Sequence, residues 1–311
     1  MRIAICLALI LAACGAPPAL QRSQQLPYLT PATPATRLLY VSDLYNSAVD
    51  VYTVPALKFV RRIGGFLEPE GACTDAHGDV WIADTGNLRM LKFEPGGTTP
   101  VASLTDALGF PAGCAVNVNG DLAVANEYGV SGAGQVLIYR HASGTPAAYR
   151  NNVQYSYNFA GYDNKGDLYA SGSTLKGTYA LSSLAAGAKS MATVSISGGT
   201  IYLAGSVFWR DAKLVLGDQE CRGGTASCLY ETTISGQNAR IAVTIPLTGS
   251  CDVAQVVLLG DALYGGNYNY CSKAASSTDR WSYPQGAKQV GVSGVRQPVG
   301  AAISGPATER L

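Results

Sequence analysis

Three observations predict an all-β chain folded as a six-bladed β-propeller over residues 37–304. A turn-plus-strand segment recurs at near-even spacing. A second strand, just before each turn, recurs with it. The composition is rich in glycine and tyrosine and poor in methionine. The repeated segment reads GDVWIAD at 78–84, GDLAVAN at 120–126 and GDLYASG at 166–172. Weaker copies, AKLVLGD and GDALYGGN, begin at Ala212 and Gly260, and RLLYVSD at 37–43 matches the second half of the unit. Successive copies are offset by 41 to 48 residues. Shared among six units, residues 37–304 give about 45 residues each, within the roughly 40–50 of propeller repeats.

The strand before each turn reads PEGACTD from Pro69, PAGCAVN from Pro111 and LAGSVFW from Leu203, with YNFAGYD from Tyr157 a looser copy. QPVGAAIS at 297–304 is a further copy with no turn after it, and residues 37–43 have no such strand before them. The two halves complete one another. The C-terminal strand is expected to become the innermost strand of the first blade, which removes exposed sheet edges. Each blade then reads inner strand, turn, second strand, loop, third strand, outer strand. In the second blade these are predicted at 71–74, 80–83, 88–93 and 101–104; in the sixth, at 253–258, 262–264, 280–283 and 288–292. The Asp-x-x-Gly-Asp turns at Asp75 and Asp163 suit tight hairpins better than calcium, because they recur at one class of hairpin. Asp43 to Asn46 and Asp84 to Asn87 read as loops whose side chains bond backbone amides.

The composition supports this reading. The chain holds 36 glycines, 18 tyrosines and three methionines. Tight turns need Gly, and strands favour Tyr, Val, Ile and Thr. A net charge of +1 offers no electrostatic case for nucleic acid or an anionic membrane surface.

The first residues read as targeting. Arg2 precedes an apolar run from Ile3 to Ala13, too short to span a bilayer. The run ends in Leu11-Ala12-Ala13-Cys14, which resembles the lipobox of bacterial lipoproteins. That resemblance implies a signal at 1–13 and acylation of Cys14, so the expected membrane partner is reached through the N-terminal lipid. Gly15 rather than Asp after the cysteine implies an outer-membrane or cell-surface address. Residues 14–36, with five prolines, form a tether rather than a helix, and 305–311 a short tail.

Pro69, Gly71, Asp75, Gly78, Ala83, Asp84, Asn87 and Arg89 resemble the NHL repeat, whose propellers are mostly binding platforms and in some cases enzymes. Pro69-Glu70-Gly71 also resembles the P-D-G of calcium-dependent gluconolactonases, with Glu70 in place of the metal-binding Asp. The other blades offer Ala112, Pro298 and Ala204 at the matching places, so the metal set is incomplete.

Six cysteines remain after Cys6 and Cys14, an even number in an exported domain. Cys251 pairs with Cys271 across a hairpin, and Cys221 with Cys228 across a short loop. Cys73 and Cys114 lie on neighbouring inner strands and either bond or stay as buried thiols. With two histidines, His77 and His141, both in predicted turns, and no C-x-x-C or G-x-S-x-G, no catalytic set and no metal site is expected. The ligand-side loops 126–135, 218–228 and 267–279 are long. They and the strand entries offer Glu70, Asn126, Glu127, Tyr128, Tyr155, Tyr157, Arg210, Asp218, Tyr268, Tyr270, Arg296 and Gln297 as candidates to meet a protein, peptide or glycan. The expected function is a monomeric, non-catalytic binding or scaffold module of the cell envelope. The alternative is a calcium-dependent, gluconolactonase-like hydrolase.

Overall fold

A computed structural model describes residues 37–305 apart from Lys273. The predicted signal, Cys14, the tether and most of the tail lie outside the described residues. The strands are β1 (Leu38–Asp43), β2 (Ala48–Thr53), β3 (Phe59–Ile63), β4 (Pro69–Thr74), β5 (Val80–Asp84), β6 (Arg89–Phe93), β7 (Ala102–Thr105) and β8 (Gly109–Val116). They continue as β9 (Leu122–Gly129), β10 (Gly132–Tyr139), β11 (Ala147–Tyr149), β12 (Gln154–Tyr162), β13 (Leu168–Thr174), β14 (Tyr179–Leu184), β15 (Ala192–Ser197) and β16 (Ala204–Arg210). The last eight are β17 (Lys213–Glu220), β18 (Ala226–Ser235), β19 (Asn238–Leu247), β20 (Val256–Leu259), β21 (Ala262–Asn267), β22 (Ser277–Ser282), β23 (Lys288–Ser293) and β24 (Pro298–Ile303).

The described residues form five hydrogen-bonded sheets, not the six separate ones the repeat suggests. Four are four-stranded antiparallel sheets in the orders β24-β1-β2-β3, β4-β5-β6-β7, β11-β10-β9-β8 and β20-β21-β22-β23. The fifth has eight strands because β15 pairs in parallel with β19, Ser195 to Ser197 beside Asn238 to Arg240. Two antiparallel runs, β12 to β15 and β16 to β19, are thereby joined at their edges. As the sequence implies, the C-terminal β24 pairs with β1.

Why these residues make strands is plain from burial. In β5, Val80 and Ile82 pack with Tyr40, Val49 and Val51 of the first sheet, while Trp81 and Ala83 pack with Leu122 and Val124 of the third. Side chains alternate across a strand, so a sheet buried on both faces reads as a continuous apolar run. Equivalent clusters join every successive pair of runs, and another joins Ala262 and Tyr264 to Leu39 and Val41.

The first strand of each run packs backbone to backbone against the next. A Cβ on Gly71 would collide with the Ala112 carbonyl of β8, and one on Gly113 with Asn158 of β12. Gln255, just before β20, meets the centre with a long side chain. Its Oε1 accepts from the amides of Ala72 and Ala301, 3.0 Å each, and its Nε2 donates to the Ala72 carbonyl at 2.8 Å.

The Asp75 turn is a hairpin device, as expected. Asp75 Oδ1 accepts from the amides of His77 and Asp79, and Asp163 does the same for Lys165 and Asp167. Both histidines are exposed, His77 at the Asp75 turn and His141 in the 140–142 turn after β10. Three disulfides form: Cys73–Cys114, Cys221–Cys228 and Cys251–Cys271, with Cα separations of 5.6, 5.8 and 5.8 Å. The two predicted pairs are present, and the open alternative at Cys73 and Cys114 resolves as a bond. Several boundaries move. Residues 126–135 are the ends of β9 and β10 rather than a loop, Cys251 lies before β20, and β22 begins at Ser277.

Gln255→Ala strands two amides and a carbonyl near the centre. Loss of about 2–4 kcal/mol is expected in urea unfolding at neutral pH, with native-like circular dichroism retained; a loss below about 0.5 kcal/mol would mean water replaces the side chain.

Candidate functional site

Antiparallel pairing sets one end of every sheet. The entry to each first strand and the connection between second and third strands lie together there, and we call this end the rim. Polar side chains fasten it. Asp43 accepts from the amides of Arg296 and Gln297, at 2.9 and 3.0 Å. Asp84 accepts from Leu67 at 2.7 Å, Asp218 from Tyr202 and Leu203 at 3.1 and 3.0 Å, and Asn267 from Cys251 at 3.0 Å. In the two remaining runs the entry loop supplies its own acceptor: Asp106 takes Gly109, and Asn151 takes Gln154. Each bond satisfies a donor that no strand partner reaches.

Three of the twelve candidates are therefore enclosed. Asn126 and Asp218 have no exposed surface, and buried Tyr157 accepts the Asn151 amide on its hydroxyl at 3.0 Å. Arg210 ends β16 at the other end of the molecule and pairs with Asp211. Gln297 is half-buried, its amide held by Asp43 and its carbonyl taken by Leu44.

The remaining candidates stand at the rim in three groups. The first is acidic and aromatic. Burial, then the negative charges of Glu127 and Glu68, hold the Glu70 carboxyl well above the usual carboxylate range. Burial also raises Glu127, against the opposing hydrogen bonds of the Tyr128 hydroxyl and the Asn158 amide. Half-exposed Tyr128 has its own ionisation pushed up, first by the Glu127 charge. Its ring lies 6.2 Å from that of Tyr155, tilted by 59°. Here are apolar ring faces beside carboxyls that resist losing their protons.

In the second group Tyr268 and exposed Tyr270 stack 5.7 Å apart. Beside them Asp252, whose carbonyl accepts the Tyr268 amide, has its carboxyl pushed up to about 6 by burial and by Glu220. In the third, the Arg296 guanidinium lies 3.2 Å from the centre of the Tyr45 ring, a cation–π contact. Glu68, Tyr45, Asn158, Asp252 and Glu220 were not among the sequence candidates. Their recruitment depends on neighbours from other runs, for which one sequence holds no signal.

The donor set does not fit a resident calcium ion. Among the described residues no three His, Cys, Asp or Glu side chains are grouped to hold a metal, and Ala112, Ala204 and Pro298 carry no side-chain oxygen.

The fold is that of a β-propeller. The chain resembles a chain of a nidogen/laminin complex, with TM-score 0.66 and 11% identity, over 86% of this chain and 98% of that one. It resembles similarly a protein of unknown function from Bacteroides caccae, TM-score 0.63 and 11% identity, over 86% and 99%. No curated protein matches the sequence at significance. Residues 66–93 match the NHL repeat.

The Asp252 shift has a definite sign. Its folded value is raised above the ordinary 3.8 to about 6, so the folded state binds more protons in that window and stability falls as pH rises through it. Asp252→Asn is expected to be about 1–2 kcal/mol more stable than the parent at pH 7, discounted for partial exposure, with the difference shrinking towards pH 4. Urea unfolding at several pH values measures this.

Proposed function

We propose that this chain is an exported, lipid-anchored propeller of six blades, closed by β24, that binds another protein at its rim without catalysing a reaction. The eight-stranded sheet counts as two blades in this reading. The observation that carries it is where large apolar side chains meet water. Tyr45, Leu67, Leu108, Leu175, Tyr202 and Tyr270 are each at least 43% exposed, and all stand on rim loops. Tyr128, also exposed at this end, lies beside the Glu127 carboxyl. Apolar residues gathered at one end of a soluble fold mark an interaction surface rather than scatter. The similar chain from the nidogen/laminin complex comes from a protein–protein assembly, which favours a protein partner. Export and anchoring rest on the lipobox-like Leu11-Ala12-Ala13-Cys14. Three disulfides agree with an oxidising compartment. A Cys14 lipid would place the protein at the outer membrane or cell surface.

The alternative, a calcium-dependent hydrolase, draws on Glu70 and its close carboxyl neighbour Glu127. A calcium-dependent rise in melting temperature that Glu70→Ala abolishes would replace the binding reading with this one.

Two measurements test the proposal. Cys14→Ser is expected to move the protein from the membrane to the soluble fraction; unchanged membrane retention argues against the lipid. Photo-crosslinkers in place of Leu175 and Tyr270 are expected to yield one shared protein adduct in cells. A crosslinker at Val118, 90% exposed at the other end, is expected to yield none. Equal adducts from all three positions would refute rim binding.

A further inference from the structure

We propose that the groove around Arg280 binds a carboxylate-bearing ligand, at a site separate from the rim. Arg62, Arg89, Arg140 and Arg210 each pair with an aspartate. Arg280 has no such partner among the described residues. Its Nε is buried and meets no acceptor. It lies over the ring of Tyr264, its cross-strand neighbour, 5.8 Å from the guanidinium carbon. An arginine stays charged under all physiological conditions, so these donors are permanent. A buried donor without an acceptor is costly, and a ligand oxyanion would remove the cost.

The space for that ligand is present. Arg280 and Tyr264 line a groove of about 510 Å³ with Leu259, Asp261, Ser282, Tyr283, Pro284 and Gln289. This is within the range of small-molecule sites, roughly 300–1,000 Å³. The planar guanidinium fork matches a carboxylate with two parallel hydrogen bonds. The accessible lining is mainly polar: Ser282 and Gln289 offer hydrogen bonds, and Leu259 and Pro284 add some apolar surface. Asp261, exposed beside the 259–262 turn, is the one acidic residue of the lining. One cation and one anion leave the groove neutral, which favours a singly charged carboxylate over a phosphate dianion. A small carboxylic acid fits best.

The test is titration of the full-length protein with sodium benzoate, sodium acetate and inorganic phosphate. Binding is followed by the Nε–Hε resonance of Arg280, assigned by its loss in Arg280→Lys. Benzoate and acetate are each expected to shift the resonance saturably and to bind more tightly than phosphate. By thermal shift, Arg280→Gln is expected to weaken benzoate binding at least tenfold. Asp261→Asn, a change at an exposed side chain, is expected to tighten it about threefold. No saturable shift, unchanged affinity in folded Arg280→Gln, weaker binding in Asp261→Asn, or a preference for phosphate would each overturn the proposal. None of these outcomes bears on the rim, which lies at the other end of the sheets.

Discussion

The fold depends on how closely the first strands of successive runs approach one another. At Gly71, Gly113, Gly161 and Gly300 a Cβ would drive into the backbone of the neighbouring strand, so these positions admit nothing larger than hydrogen. That contact sets the spacing at the centre, and the sheets can only fan outward from it, their facing sides filled by the apolar clusters. The segment before β20 solves the same problem differently. Its Gln255 reaches across to β4 and β24 and meets their unused backbone groups with its own amide. A side chain there does what glycine contact does elsewhere: it leaves no central polar group of those strands to search for water.

A second constraint acts at the rim. Every entry loop arrives with backbone amides that no ladder partner meets, and a short polar side chain takes them in each case. The device survives substitution of its parts. Where β9 carries Asn126 and β13 carries Gly172, the acceptor shifts to Asp106 or Asn151 in the entry loop itself. The rim thus carries two kinds of polar residue. One kind faces inward and holds loops. The other, Glu70, Glu127 and Asp252, is left with raised carboxyls. Stability does not call for the second kind, and this makes it the better guide to function.

The sequence made the first distinction only in part. Repeats are legible because a strand buried on both faces shows as an apolar run, and turns show through Asp75, Gly78 and Asp79. The strand β24 is legible because QPVGAAIS copies a motif that otherwise precedes a turn. The merging of β15 with β19 is not, since three residues of parallel pairing between distant edge strands leave no mark on composition. Polar, glycine-containing strand ends such as 126–129 read as loop, because they pair with each other without an apolar face. Whether Cys73 and Cys114 bond is not legible, because β4 and β8 are packed neighbours rather than ladder partners, so no register in the sequence says which way their side chains face. In the candidate site, Asn126 and Asp218 looked like Glu127 by residue type and position; only burial, and for Asp218 its bonds to the 202–203 amides, sets them apart.

The two ends of the molecule consequently differ in kind. At the end opposite the rim, the aspartates are spent on their own turns: Asp75 and Asp79 share Lys92, and Asp121 pairs with Arg140. The described chain also begins and ends there, with Gly305 bonded to Gly78 and close to Arg37. Under the proposed function, a chain entering at Arg37 would leave the apolar rim free, so attachment and recognition would not compete for one surface. For a propeller with so few charges overall, this separation matters more than steering: with a net charge of +1 long-range attraction is weak. In the proposed binding role, affinity would rest on the apolar rings and on the raised carboxyls, which gain when a partner supplies a donor.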